Sequence, residues 1–175
     1  MTFDYIEEVA EKLLKDAGCY SIPVDINRVA EVKKIKLQAV DLLDEVSGFF
    51  VIKDLNPCIG FNKLHSEKRQ RFTIAHELGH FILHSSDMPL FVDKEEKVLY
   101  RNPESATGEL NKEREANAFA AALLMPASLL KKEIHNCDIS STDSITDFLA
   151  NRFKVSEKAM TYRLTNLGLL DFGLF

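Results

Sequence analysis

Cysteine is scarce in this chain, and a long apolar run is missing altogether. The 175 residues include three cysteines, Cys19, Cys58 and Cys137, far apart and odd in number. They outline no disulfide framework and no C-x-x-C metal knuckle, so a reducing cytosol is expected. No stretch approaches the roughly 18 apolar residues that a membrane span needs. The first 18 residues carry acids throughout and hold no long apolar core, unlike a signal peptide. A cytoplasmic protein with no membrane partner is therefore expected. Positive charge is also short: 22 Lys and Arg stand against 27 Asp and Glu, a net charge of −5. That balance argues against nucleic-acid binding by the whole surface and leaves room only for a local basic patch. Repeats and low-complexity tracts are absent. What is left is an ordinary globular composition, 46% hydrophobic and 28% charged. The length suits one domain, or one with a small appendage, and a real core.

Against this plain background one motif stands out. Residues 76–80 read His-Glu-Leu-Gly-His, an H-E-x-x-H pattern inside the apolar run Phe72, Ile74, Ala75, Leu78, Phe81, Ile82 and Leu83. On a helix, His76 and His80 are one turn apart, roughly 6 Å of rise, and project from one stripe. Two imidazoles so placed can aim at one zinc ion, at about 2.0–2.1 Å from each nitrogen. Glu77 is badly placed for a third ligand but well placed as the base that takes a proton from water at the metal. His84 continues the row, yet it lies about 12 Å along the helix from His76, beyond reach of a shared ion. The longer motif with a third histidine six residues past the second ligand fails here, because Leu83 and Ser86 occupy the diagnostic places. His84 is expected to be a helix-end histidine or a group behind the ligands.

The third ligand must come from farther along. Acidic candidates are Asp87, Asp93, Glu95, Glu96, Glu104, Glu109, Glu113 and Glu115. A preorganised site favours one on a helix. Stepping about 100° per residue from Glu113, the apolar set Ala116, Phe119, Ala120, Leu123 and Leu124 forms an arc that includes Glu113. Glu115 falls away from the centre of that arc. Glu113 is thus preferred to Glu115, and Asn117, one turn on, is placed to hydrogen-bond a ligating histidine. Glu109 suits a solvated acid at a helix start.

Along the chain, periodicity predicts helices over residues 3–17 and 23–32, then strands near 35–39, 48–52 and 58–61, the last two joined by a turn at Lys53–Pro57. The motif helix is expected over Ser66–His84. Residues 85–111 lose all pattern, apart from a possible short strand at Val98-Leu99-Tyr100, and read as a long loop over a site. Helices follow at 109–124 and 127–135, then a polar linker and two helical stretches within 145–170. A strand edge among residues 48–62 is expected to hold an extended substrate by backbone pairing.

The chain at this point resembles the ImmA/IrrE family of metallopeptidases. The likeness is carried by Glu67–His80 (EKRQRFTIAHELGH), by Arg101, Ser105 and Gly108, and by Glu113–Pro126 (EREANAFAAALLMP). It implies an α+β, thermolysin-type zincin core: a small three-stranded or larger sheet packed on the H-E-x-x-H helix and the helices after it. It implies one zinc per chain held by His76, His80 and Glu113, with Glu77 as base. It also implies proteolysis of a helix-turn-helix repressor, which would switch on a mobile-element or stress operon.

Residues 149–164 look like a helix-turn-helix unit, with Val155 as turn hydrophobe, Ser156 as N-cap, and Ala159 and Leu164 in the core. The chain is accordingly divided into a metallopeptidase domain, 1–137, and a helix-turn-helix-like segment, 138–175. Between Ser144 and Phe175, four basic and three acidic residues are weak provision for phosphates. Packing or partner docking is expected of this segment, and direct DNA binding is not. For the oxyanion, Tyr100, Arg101 and His84 are candidate donors. The rival reading is a non-proteolytic DNA-binding or antirepressor protein with a structural metal site, which would need a fourth protein ligand. Hydrolysis of a small amide is a third reading that the motif alone leaves open.

Overall fold

The first two helices start where the sequence supplies a side-chain acceptor for an otherwise orphaned N–H. Thr2 caps α1 (Phe3–Asp16) by accepting from the Tyr5 amide, and Asp25 caps α2 (Ile26–Val32) by accepting from the Arg28 amide. Pro23 thus stands before the second helix rather than inside it. A computed structural model describes residues 1–53, 56–84, 90–94, 103–137 and 142–170. After α2 come β1 (Lys36–Val40), β2 (Val46–Lys53), β3 (Asn56–Asn62), α3 (Glu67–His84), β4 (Leu90–Lys94), α4 (Pro103–Leu124), α5 (Ala127–His135), α6 (Thr142–Phe153) and α7 (Glu157–Asn166). The expected α+β class holds.

Four strands form one mixed sheet in the order β1-β3-β2-β4, with β1 parallel to β3 and the other pairs antiparallel. Strands β2 and β3 pair from Gly48↔Phe61 out to Lys53↔Asn56, so pairing runs through residues expected to lie in the turn. Pro57 is tolerated inside a central strand because pairing with β1 begins only at Cys58, where an N–H is next needed. Asn62 is fully buried, and its amide donates to the carbonyls of Leu42, Leu43 and Val46 at 3.2–3.3 Å. It fastens the β1–β2 connection to the end of β3.

Two expectations need correction. Residues 85–111 are no continuous loop: Leu90–Lys94 pairs with β2, and α4 begins at Pro103, where a proline's missing N–H costs nothing. The possible strand at Val98–Tyr100 lies outside the described residues. Nor is a strand edge free within 48–62, because β2 and β3 are both flanked by neighbours; among the described residues the edges are β1 and β4.

Helix α3 packs on β2 and β3 with one side and on α4 with the other, and α4 also packs on α1. One core runs from Leu14 of α1 through Phe50, Ile59 and Leu78 to Phe119, and on to Leu149, Phe153 and Leu164 of the last two helices. These last helices meet at Lys154, whose backbone is left-handed (φ 53°), with Val155 buried and Ser156 capping α7. Arg71 of α3 ties this corner down, donating to the Lys154 carbonyl at 3.3 Å and the Val24 carbonyl at 2.9 Å.

A buried charge completes the attachment. Arg163 of α7 is 1% exposed; its Nε donates to the Met125 carbonyl at 2.9 Å, and its two terminal nitrogens grip the Glu7 carboxylate of α1. Removing one member of such a pair strands the other and opens a cavity. Arg163→Ala is expected to cost about 3 kcal/mol and lower the thermal midpoint by roughly 6–12 °C, read by circular dichroism. An unchanged midpoint would show that this pair contributes nothing to holding α7.

Candidate metal centre

The centre depends on how closely α3 and α4 cross. At Gly79, a Cβ would lie 3.1 Å from the Ala116 Cα and 3.2 Å from its carbonyl oxygen, so the two backbones are nearly in contact there. Only a residue without a side chain permits that approach without displacement. Residues flanking Ala116 on α4 therefore reach those flanking Gly79 on α3.

His76 and His80 are both buried, and their Nε2 atoms are 3.0 Å apart. Glu113 closes the triangle, one oxygen 3.3 Å from His76 Nε2 and the other 3.3 Å from His80 Nε2. A tetrahedral ion with bonds of about 2.0–2.1 Å has ligand atoms about 3.3–3.4 Å apart, so the three donors fit such an ion with little movement. Among the described residues, these three are the group able to hold a metal ion.

Hydrogen bonding behind the ligands points the same way. Asn117 Oδ1 lies 3.1 Å from His76 Nδ1. An amide oxygen only accepts, so this contact favours the proton on Nδ1 and a lone pair on Nε2. His84 is buried, with Nε2 2.8 Å from a Glu115 oxygen and Nδ1 3.4 Å from His80 Nδ1. His84 donates to the carboxylate, which leaves its Nδ1 to accept from His80 and turns the His80 Nε2 lone pair to the same point. The other Glu115 oxygen accepts from the amino group of Met1.

The electrostatics follow from burial and these partners. Burial lowers the His80 pKa to about 4, despite the opposing pull of Glu113. Burial pushes Glu113 upward, but the His76 and His80 imidazoles it faces outweigh burial and hold the carboxyl at about 2. Glu115 is also lowered, with burial overcome by the Met1 amino group and His84. A neutral imidazole beside a carboxylate that stays ionised is the protonation state a cation requires.

Glu77 is fully buried. A Cβ on Gly48 would stand 3.6 Å from its Oε1, which puts the carboxylate under the backbone of β2. At this point β2 bulges, with Val46 opposite Lys94 and Gly48 opposite Asp93, so Ser47 is turned inward to accept from Arg69 at 3.0 Å. A cleft of about 1460 Å³ opens beside the centre, lined by His76, Thr73 and Phe72 of α3, Glu113 and Asn117 of α4, and part of α7.

Of the residues singled out in the sequence, the structure thus brings together His76, His80 and Glu113, with Asn117 behind the first histidine and His84 behind the second. Glu115 departs from its helical-wheel position: it does not point away but meets His84, because the close crossing draws both flanks of α4 onto α3. His84 is engaged with Glu115 and His80. Tyr100 and Arg101 lie outside the described residues. Gly48, over Glu77, and Ser47, against Arg69, carried no signal in the sequence beyond their place in a strand.

A family model described as peptidase M78, the IrrE N-terminal-like domain, matches residues 30–165. The chain belongs to this family. The family match begins within α2 and ends in α7, so it takes in both helices of the centre as well as the sheet. No curated protein matches the chain in sequence. Among solved structures, a Mycobacterium tuberculosis transcriptional regulator is similar, with TM-score 0.65 and 17% identity, over 93% of this chain and 46% of that one. The chain spans under half the length of that regulator, and the likeness is one of fold.

The two acids of α4 make different predictions. Glu113→Ala removes a donor from the triangle and is expected to abolish stoichiometric zinc binding, as is His80→Ala. Glu115→Ala frees His84 and the Met1 amino group but removes none of the three donors, so it should keep about one zinc per chain with affinity roughly 10–100-fold weaker. Metal content by mass spectrometry and competition with a chelator read both effects. Loss of zinc in Glu115→Ala with retention in Glu113→Ala would reverse the assignment.

Proposed function

We propose that this protein is a zinc-dependent endopeptidase of the cytoplasm that cleaves a helix-turn-helix repressor and so relieves repression of a mobile-element or stress operon. The observation that carries the reading is the triangle of His76, His80 and Glu113 donors at 3.0–3.3 Å, with Glu77 on the same helix. Membership of a peptidase family supports the reaction class. The regulator among similar structures is in keeping with a role near transcription. That the last two helices share the core and that α7 lines the cleft accords with docking of a protein partner rather than with reading DNA.

His76, His80 and Glu113 would hold the ion and leave a position open, as catalytic sites do. When bound, zinc polarises the scissile carbonyl and makes water a usable nucleophile near neutral pH. Glu77 takes the proton of the attacking water and passes it to the leaving amine. Asn117 and His84 keep the two imidazoles oriented while this happens. Strand β4, an edge strand whose Asp93 stands opposite Gly48 of β2, offers backbone groups for pairing with an extended substrate close to Glu77.

The decisive experiment incubates the zinc-loaded protein, and its Glu77→Gln variant, with helix-turn-helix regulators encoded near it. Gln keeps the shape and the metal but cannot accept the proton, so cutting is expected to fall by about 10²–10⁴-fold with zinc content unchanged. Equal cutting by both forms would contradict the mechanism. An intact regulator with both forms would favour an antirepressor whose metal is structural.

A further inference from the structure

The cleft beside the metal centre carries a charge opposite to that of the protein. Its volume, about 1460 Å³, exceeds the roughly 300–1,000 Å³ of small-molecule sites and suits a polypeptide. Two acids line it, Glu113 and Glu115, and both face histidines. Three of its cations are occupied: the Met1 amino group is paired with Glu115, Arg163 is paired with Glu7, and Arg69 donates to Ser47. Three others are not neutralised. Lys68 donates only to the neutral amide oxygen of Asn151, at 3.3 Å, and Arg114 and Lys158 have neither ion pair nor hydrogen bond among the described residues. Lys15, Arg28, Lys63 and Arg152, by contrast, are each matched by a carboxylate.

We propose that the cleft between α3, α4 and α7 binds an acidic segment of the protein substrate, and that Lys68, Arg114 and Lys158 read its charge. The proposal rests on the peptidase reading above and deepens it by naming the chemistry of the segment taken. Uncompensated positive charge in a concave site, on a protein of net charge −5, concentrates anionic partners there and repels cationic ones. Between the cations the cleft wall is apolar, with half-buried Phe72 and Ala121 and exposed Tyr162. Such a wall suits peptide side chains better than a phosphate backbone, and three cations are few for a duplex, whose binders commonly neutralise about 6–10 phosphates. A polypeptide with carboxylates spaced around apolar residues satisfies both features. Helix α7 then serves as a recognition element, joined to the centre through the shared cleft.

The test uses two short fluorescein-labelled peptides of one Leu/Ala/Tyr frame, one bearing glutamates and the other glutamines at the same places. Anisotropy is read with the zinc-loaded full chain carrying Glu77→Gln, so that the probe stays intact, and a labelled DNA duplex forms a third arm. Expected is binding of the acidic peptide roughly tenfold tighter than its neutral twin at about 50 mM salt, an advantage that fades at about 500 mM. The combined Lys68→Gln, Arg114→Gln and Lys158→Gln variant should lose that advantage while keeping its zinc content and helical circular dichroism. Equal binding of the two peptides overturns the proposal, as does an advantage that survives the triple substitution. Tighter binding of the duplex than of either peptide, lost in the same variant, overturns it in favour of nucleic acid. Binding is read here without cleavage, so failure of the peptidase reading, seen as an intact regulator, remains a separate result.

Discussion

The centre exists because two helix backbones nearly touch. Gly79 against Ala116 sets the separation of α3 and α4, and three side chains from each helix meet across that point: His76, His80 and His84 from one, Glu113, Glu115 and Asn117 from the other. With the helices farther apart, a glutamate could span to one histidine but not to two at 3.3 Å each. The small residues thus determine the geometry of the large ones, and the arrangement depends on the motif's central Leu-Gly pair as well as on its histidines. Leu78 anchors the helix in the core while Gly79 admits its neighbour.

Much of this was legible in the sequence because it is local. The spacing of His76 and His80, the cap at Ser156, and the apolar stripe of α1 are all decided within a few turns of chain. Glu113 was legible one step further, through the period of its own helix. What escaped was nonlocal. Strand β4 pairs with residues 39–48 positions earlier, and its five residues carry little alternation to announce it. The contact of Glu115 with His84 depends on how two helices cross, which no single-helix wheel contains. Arg163 and Asn62 are buried polar residues whose partners lie in other elements, and composition alone assigns both to the surface.

Electrostatics separates the roles of otherwise similar groups. Glu113 and Glu115 lie two residues apart on α4, and both are kept ionised against the cost of burial. One does so by facing the two histidines of the centre, the other by bridging His84 and the Met1 amino group. The inner carboxylate faces the two imidazoles of the centre, and the outer one holds His84, which in turn meets His80. A wider asymmetry frames the pair: an acidic protein whose cleft, apart from these two carboxylates, is lined by positive charge. Family membership and a shared fold at 17% identity indicate that the scaffold tolerates wide change in sequence.

The measurement that bears most directly on the centre is X-ray absorption at the zinc edge of the metal-loaded protein. The account predicts a four-coordinate ion with nitrogen and oxygen neighbours at about 2.0–2.1 Å, two imidazoles and no sulfur, and one position exchangeable with solvent or inhibitor. A sulfur shell at about 2.3 Å, or a closed site of four protein ligands, would contradict it.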